Sequence, residues 1–329
     1  MRYSAAHNFK SSRQLKRQRG KNFKFLVLII IVSLVFYFLY SPDKQPEKEV
    51  AGVEISSQQT EIPNPTASAS PKAVRYKSLQ EAIEKSLEGT TGSYGVFVKN
   101  LKTGESFSLN ENKVFEAGSL YKLWTMAAVY KQIEAGNLDP EDELSQGIAV
   151  LNRKFGIDPS LAEQTQGTIT LTVDSALNQM ITISHNYAAL LLTEKIGLSK
   201  VAAFLDEKGF KNSKVGTDGS APVTTPLDIG LYFEKLQRGE LGSNDSTTKM
   251  FDLLKKQKLN NKIPKNLPPE LVIAHKTGEL GWFSHDAGII YSEKGDYIIV
   301  VMSESSIPKA AEDRIADLSK NIYNYFQKI

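Results

Sequence analysis

The sequence predicts an α/β fold, more narrowly α+β. An antiparallel sheet is flanked by helices from the two ends of the domain, and an all-helical lobe is inserted between its halves. Two observations predict it. β-Rich runs cluster at both ends of the carboxy-terminal 255 or so residues, each cluster accompanied by a helix, while the middle reads as helical. An antiparallel sheet needs its strands as neighbours, so the two ends must come together and the middle must be an insertion.

The elements follow in order. "SLQEAIEKSLEG" has apolar residues near helical spacing and a terminal glycine, which predicts a helix over about 78–88. "SYGVFVKN" and "ESFSLN", joined by "LKTG", predict a hairpin. From about 119 to 255 the chain is mainly helical, giving a lobe over about 112–265. "LVIAHKTG", "DAGIIYS" and "DYIIVVMSE" then read as three strands, and "AAEDRIADLSKNIYNYFQKI" as a closing amphipathic helix. Clefts between such lobes are common places for active sites.

The first 74 residues differ in kind. They hold 11 Lys/Arg against 5 Asp/Glu, leaving 29 against 32 for residues 75–329, so the basic excess belongs to the amino terminus and the folded part carries no footprint for nucleic acid. Residues 1–24 contain eight Lys/Arg and no acid and precede sixteen apolar or small residues, 25–40. Lys24 can snorkel, and "SPDKQPEKE" offers no small-x-small cleavage site. The expectation is a transmembrane anchor at 25–40 with the basic segment 1–24 cytoplasmic, hence a single-pass protein of the cell membrane with its domain extracytoplasmic. Residues 41–74, with five prolines among Ser, Thr, Gln and Glu, read as a disordered linker. There are no cysteines, which excludes disulfides and Cys-ligated metal sites.

Three short motifs carry chemistry. "GSLYKLWTMAAVY" puts Ser119 and Lys122 one helical turn apart in a segment otherwise apolar. A serine hydroxyl is a poor nucleophile without a base in reach, and a lysine desolvated by such surroundings becomes a neutral amine more readily. The pattern alone is common; Ser246 to Lys249 and Ser306 to Lys309 repeat it. "MITISHNYAALLL" contributes Ser184 and Asn186, which would otherwise read as a helix cap. "LVIAHKTGEL" places Lys276, Thr277 and Gly278 at the end of an apolar run, where an edge strand could pair with a bound peptide, Gly278 allowing close approach. Ser108 to Asn110 and Lys102 to Gly104 echo these motifs in the amino-terminal hairpin. Only the order 119, 184, 276 puts each on a sensible element. His185, His275 and His285 flank the motifs without metal-ligand spacing, so no metal and no cofactor is expected.

The ordered triple resembles the signature of class A β-lactamases and penicillin-binding proteins, Ser-x-x-Lys, Ser-Asp-Asn and Lys-Thr-Gly, across roughly residues 75–329. "VTTPLDIGLYFEKL" (223–236) is similar to the Thr-Thr-Pro segment of class A enzymes. The resemblance implies a β-lactamase/transpeptidase-like fold and a monomeric serine acyl-enzyme acting on β-lactams or peptidoglycan stem peptides. In it Ser119 is the nucleophile and Lys122 its proton acceptor, and Ser184 passes a proton to the leaving nitrogen. Asn186 holds the substrate amide, and Lys276 with Thr277 binds its carboxylate. The backbone N–H groups of Ser119 and Glu279, the residue after Gly278, form the oxyanion hole.

The pattern departs in one respect that matters. Class A enzymes carry a glutamate before the Thr-Thr-Pro segment that activates the deacylating water. Here the interval from Asn186 to Thr224 is about ten residues short, and "GFKNSKVGTDGSAPV" has no glutamate. Glu194 and Glu207 fall in predicted helices, leaving Asp218 in an Asp-Gly turn. The middle of the second motif is His185 instead of Asp, and Asp286 and Ala287 stand where many class A enzymes have a carboxylate-binding arginine. Slow deacylation is the expectation. The alternatives are a penicillin-binding carboxypeptidase or transpeptidase, and an idle cell-envelope binding module.

Overall fold

The computed structural model describes residues 76–328; the predicted basic segment, anchor and linker lie outside the described residues. Among the described residues no helix is long and apolar enough to cross a membrane.

The first helix, α1 (Leu79–Leu87), starts where Ser78 accepts from the Glu81 backbone N–H. Strands β1 (Ser93–Asn100) and β2 (Ser106–Leu109) form the expected hairpin, with Val96 opposite Leu109. The carboxy-terminal strands β7 (Ile273–Leu280), β8 (Phe283–Ile290) and β9 (Tyr297–Glu304) complete a five-stranded antiparallel sheet in the order β2-β1-β9-β8-β7. Strand β9 pairs with β1 along its whole length, so the two ends of the domain do meet. Period-2 alternation then divides the core. Ile298, Val300 and Met302 of β9 face one apolar cluster, whereas Tyr297, Ile299 and Val301 face the other with α1 and the closing helix α9 (Pro308–Phe326).

The first cluster joins the sheet to the inserted lobe. That lobe contains α2 (Tyr121–Glu134), α3 (Ile148–Lys154), α4 (Val173–Thr182), α5 (Asn186–Ile196), α6 (Leu198–Lys208), α7 (Pro226–Gln237) and α8 (Asn244–Lys255). It also carries strands that the helical reading passed over. β4 (Glu143–Gly147) pairs with β5 (Thr168–Thr172), whose alternating threonines suit a pleated surface, and the two-residue β3 (Phe115–Glu116) pairs with β6 (Val223–Thr224). Helix α2 is buried on every side from Lys122 through Tyr130 and forms the centre of the lobe. The Thr-Thr-Pro segment has a local role: Thr225 caps α7 by accepting from the Asp228 N–H, with Pro226 at the first helical position.

Candidate active site

The chain enters α2 through a single 3₁₀ turn, Gly118–Leu120, so Ser119 precedes the helix proper. The turn is clamped from both sides. Ala117 and Leu120 are fully buried, and Gly118 adopts φ +49 against Glu279; a Cβ on Gly118 would stand 2.9 Å from the Glu279 nitrogen. A Cβ on Gly278 would stand 2.9 Å from both the Ala117 carbonyl oxygen and Leu120 Cγ. The close approach that Gly278 permits is thus made by the turn that carries Ser119. Ser119 is left half-buried at the surface of this contact, beside the backbone of Glu279.

His285 fixes the turn from below. Its Nδ1 accepts from the Ser303 N–H at 3.1 Å, which puts the proton on Nε2, and Nε2 donates to the Glu116 carbonyl at 2.8 Å. Burial pushes its pKa down to about 4, so the ring stays neutral. His275 is equally structural, with Nδ1 2.9 Å from Asp286 Oδ1 and Nε2 3.1 Å from Asn260 Oδ1.

The structure brings Lys122, Ser184, Asn186 and Lys276 together. Lys122 Nζ donates to the Ser184 carbonyl at 2.6 Å, to Ser184 Oγ at 3.1 Å and to Asn186 Oδ1 at 2.6 Å. Lys276 Nζ donates to the same Ser184 Oγ at 3.0 Å and to the Thr277 carbonyl at 2.9 Å. Both lysines are buried, and burial lowers both pKa values, that of Lys122 to about 7. The charge of Lys122 lowers the Lys276 pKa further, and with Lys122 itself near 7 its free amine is accessible near neutral pH. A neutral Lys122 has a lone pair to offer. Ser184 can then accept from Lys276 and donate to Lys122, while no hydrogen bond joins the Ser119 side chain to these three groups among the described residues. Thr277 lies buried in the strand between Lys276 and Gly278, and no hydrogen bond links its side chain to the others among the described residues.

Ser184 is not a helix cap. It has φ +58, one of two non-glycine residues with positive φ among those described, and His185 caps α5 instead, its Nδ1 accepting from the Ala188 N–H at 3.1 Å. Holding a serine there costs about 1–3 kcal/mol, which is tolerated where the chain needs the hydroxyl in one place. Ser184→Gly is expected to keep or raise the melting temperature while lowering the acylation rate by about 10²-fold. Thermal unfolding and acylation kinetics on one preparation check both halves.

Two residues at the site carry no sequence signal. Glu163, on the connection between α3 and β5, accepts from Asn186 Nδ2, and its charge raises the Lys122 pKa against the effect of burial. The connection is held in place through its neighbour Gln164, whose carbonyl accepts from the buried Tyr187 hydroxyl at 2.7 Å and from Asn152 Nδ2 at 2.7 Å. Lys262, fully buried, donates to Glu279. Glu279→Ala would strand that cation and is expected to cost on the order of 1–3 kcal/mol. The double variant with Lys262→Met should recover the loss, as read by denaturant midpoints, because an apolar pair leaves no buried charge.

The other acids stand elsewhere. Glu194 pairs with Lys154 and Glu207 with Lys131. Asp218 is bound into its own turn, accepting from the Ser220 N–H at 3.0 Å and Ser220 Oγ at 2.6 Å, and those bonds hold its carboxyl below the usual range. Asp286 accepts from the Ile263 N–H at 3.0 Å as well as meeting His275.

Comparison with known proteins gives a consistent picture. The profile of the family described as "Beta-lactamase enzyme family" matches residues 77–326. Beta-lactamase VEB-1 of Pseudomonas aeruginosa is 25% identical over 275 residues, covering 76% of this chain and 90% of that protein. Beta-lactamase CARB-3 of the same organism is 26% identical over 287 residues, covering 80% and 95%. Among solved structures, PBP-A superposes with a TM-score of 0.67 at 23% identity, covering 76% of this chain and 96% of its own. The beta-lactamase from Sphaerobacter thermophilus gives 0.67 at 26%, covering 76% and 97%.

Proposed function

The chain belongs to the beta-lactamase enzyme family, and on that premise we propose that it is a serine hydrolase acylated at Ser119 by β-lactams or D-Ala-D-Ala-like peptides and slow to release the acyl group. The observation that carries the reading is the convergence of two buried, pKa-depressed lysines on one serine hydroxyl beside the nucleophile turn. Neutral Lys122, directly or through Ser184, takes the Ser119 proton as Oγ attacks the amide carbonyl. The oxyanion is stabilised by the backbone N–H groups of Ser119 and Glu279, where one donor is worth about 10²–10³ in rate. Lys276 and Ser184 return a proton to the leaving nitrogen, and Lys276 with Thr277 meets the substrate carboxylate.

Deacylation needs a base for water. The loop before Thr224 supplies only Asp218, which is already held in its own turn, and the carboxylate that does reach the site, Glu163 on another connection, is tied to Asn186, so release of the acyl group is slow on this reading. That favours a penicillin-binding peptidase of peptidoglycan stem peptides as a second reading. It is in keeping with the likeness to PBP-A, a variant of which has been solved as an acyl-enzyme with penicillin G. The basic and apolar run at 1–40 supports a place on the outer face of the cell membrane, tethered through 41–74. Mixing full-length protein with a chromogenic cephalosporin tests the fate of the acyl group. One equivalent of colour followed by a stall is expected, and sustained fast turnover would contradict slow deacylation.

A further inference from the structure

One end of the five-stranded sheet carries an apolar patch that the proposed reaction does not use. Ser93, Glu304, Phe283 and Leu280 form one row across β1, β9, β8 and β7, so the β7–β8 turn and the β9–α9 connection both leave the sheet at this row. The β2–β3 connection leaves there too, because Leu109 stands opposite Val96 and Asn110 Nδ2 donates to the Tyr94 carbonyl at 2.8 Å. Leu280 and Trp282 at the first, Ile307 on the second and Val114 on the third are all exposed. They are four of the eight large apolar side chains exposed among the described residues, so they form a patch and not the single scatter usual on surfaces.

Trp282 is the most exposed of the four. It follows Gly281 in a two-residue turn, and the Gly281 φ of +55 lets the strands reverse that tightly. The Trp282 carbonyl accepts from the Ser305 N–H at 2.8 Å, and Ser305 Oγ accepts from the Ile307 N–H at 3.2 Å, so the backbone under the patch is tied together. The Trp282 side chain points away from these bonds: the residue is 66% exposed, and its indole N–H has no partner among the described residues. A large ring held outward on a fixed turn forgoes the burial that would stabilise it. The charges nearby are already matched, Lys113 with Glu304, and Lys309 and Lys265 with Glu312 and Asp313. The patch therefore offers apolar surface and one N–H, with no net charge from these pairs to steer a charged partner.

We propose that this end of the sheet docks on the outer leaflet of the membrane that holds the chain, with Trp282 seated at headgroup level and Val114, Leu280 and Ile307 around it. The inference rests on the reading of 25–40 as the anchor. Residues 41–75 then join the bilayer to the domain, and these 35 residues can span at most about 120 Å, against a radius of gyration of about 18 Å for a domain of 253 residues. Either end of the domain is within reach of the lipid. Anchoring also makes the contact intramolecular, so four side chains suffice where a free protein would need more. A ring with an apolar body and one N–H is the kind of side chain favoured at that depth. A second copy of the chain is the poorer occupant, because four side chains on three connections fall short of the roughly 800 Å² that each partner of a stable dimer buries. Leu280 also borders the cleft beside Asn186 and Glu279, so docking holds the mouth of the site at the bilayer surface.

Full-length protein in phosphatidylcholine vesicles tests the contact, with Trp282 as the probe. The chain has two tryptophans and Trp124 is fully buried, so subtracting the emission of Trp282→Phe leaves that of Trp282 alone. In vesicles whose acyl chains carry bromine, Trp282 should lose most of the emission it has in ordinary vesicles, and aqueous iodide should quench it little. Val114→Ser combined with Ile307→Ser should lower the ratio of docked to free domain about tenfold, restoring both the emission and the access of iodide. Added salt should change none of this. Protein that stays with the vesicles while Trp282 is indifferent to bromine and open to iodide would overturn the docking. Shielding from iodide without a bromine effect, growing with protein per vesicle, would overturn it in favour of a second copy. Quenching by bromine that salt abolishes would overturn the apolar contact. Loss of the full-length chain from washed vesicles would overturn the anchor itself, and this inference with it.

Discussion

Lys122→Ala is expected to lower acylation of Ser119 by about 10⁴-fold, near the upper end of what a general base contributes. Lys122→Arg should do no better, because a guanidinium cannot give up its proton in this range and so cannot act as the base. A pH profile follows as well. With its pKa near 7, Lys122 is mostly ammonium below that value and mostly free amine above it, so acylation should rise with pH through about 7. Glu163→Gln removes the charge that favours the ammonium, so the rise should move to lower pH. Stability should follow the same groups. The folded pKa values of Lys122 and Lys276 lie below the unfolded value near 10.4, so across the window between about 7 and 10 the unfolded chain binds more protons. Their contribution therefore favours the fold increasingly as pH rises through that window, and denaturant midpoints at several pH values would measure it.

Gly278→Val is expected to cost about 1–3 kcal/mol of stability and at least 10² in acylation rate. The added side chain would meet the Ala117 carbonyl and Leu120 at once, and neither can yield: one is backbone and the other is fully buried. Relief requires the turn that carries Ser119 to move away from β7, which separates the Ser119 and Glu279 N–H groups proposed to bind one oxygen. The hairpin copy of the motif provides the control. A Cβ on Gly104 would meet nothing within 4 Å, so Gly104→Ala should leave acylation unchanged and cost only the strain of its φ of +77. Melting temperature and acylation rate, measured on both variants, distinguish a packing defect at the site from a general loss of fold.

The comparison of the two glycines shows how far the sequence could be read. Alternation in β9 and the amphipathic spacing of α1 and α9 carried enough to predict the sheet and the insertion, because each is a local pattern repeated along one element. That Lys122, Ser184 and Lys276 belong to one site was implied by the resemblance of the three ordered motifs to a known family. What was not legible depends on long-range placement. Glu163 and Lys262 sit in irregular connections, where no period marks a residue as buried or facing a site. His185 displaced Ser184 as the cap because the lysine pair holds Ser184 in a left-handed conformation, a tertiary demand that overrides the local preference of serine. His275 and His285, which flank the motifs in the sequence, are held by Asp286, Asn260 and backbone groups. The short strands in the lobe escaped notice because two-residue and five-residue runs beside long helices give too little alternation to register.

The central claim is that burial of Lys122 makes Ser119 a nucleophile whose acyl ester outlives its formation. The mass of the intact protein after brief exposure to benzylpenicillin tests it most directly. The account predicts a gain of one penicilloyl group per chain that maps to the peptide containing Ser119, persists after free antibiotic is removed and is absent from Ser119→Ala. An unchanged mass, with no antibiotic consumed, would contradict it.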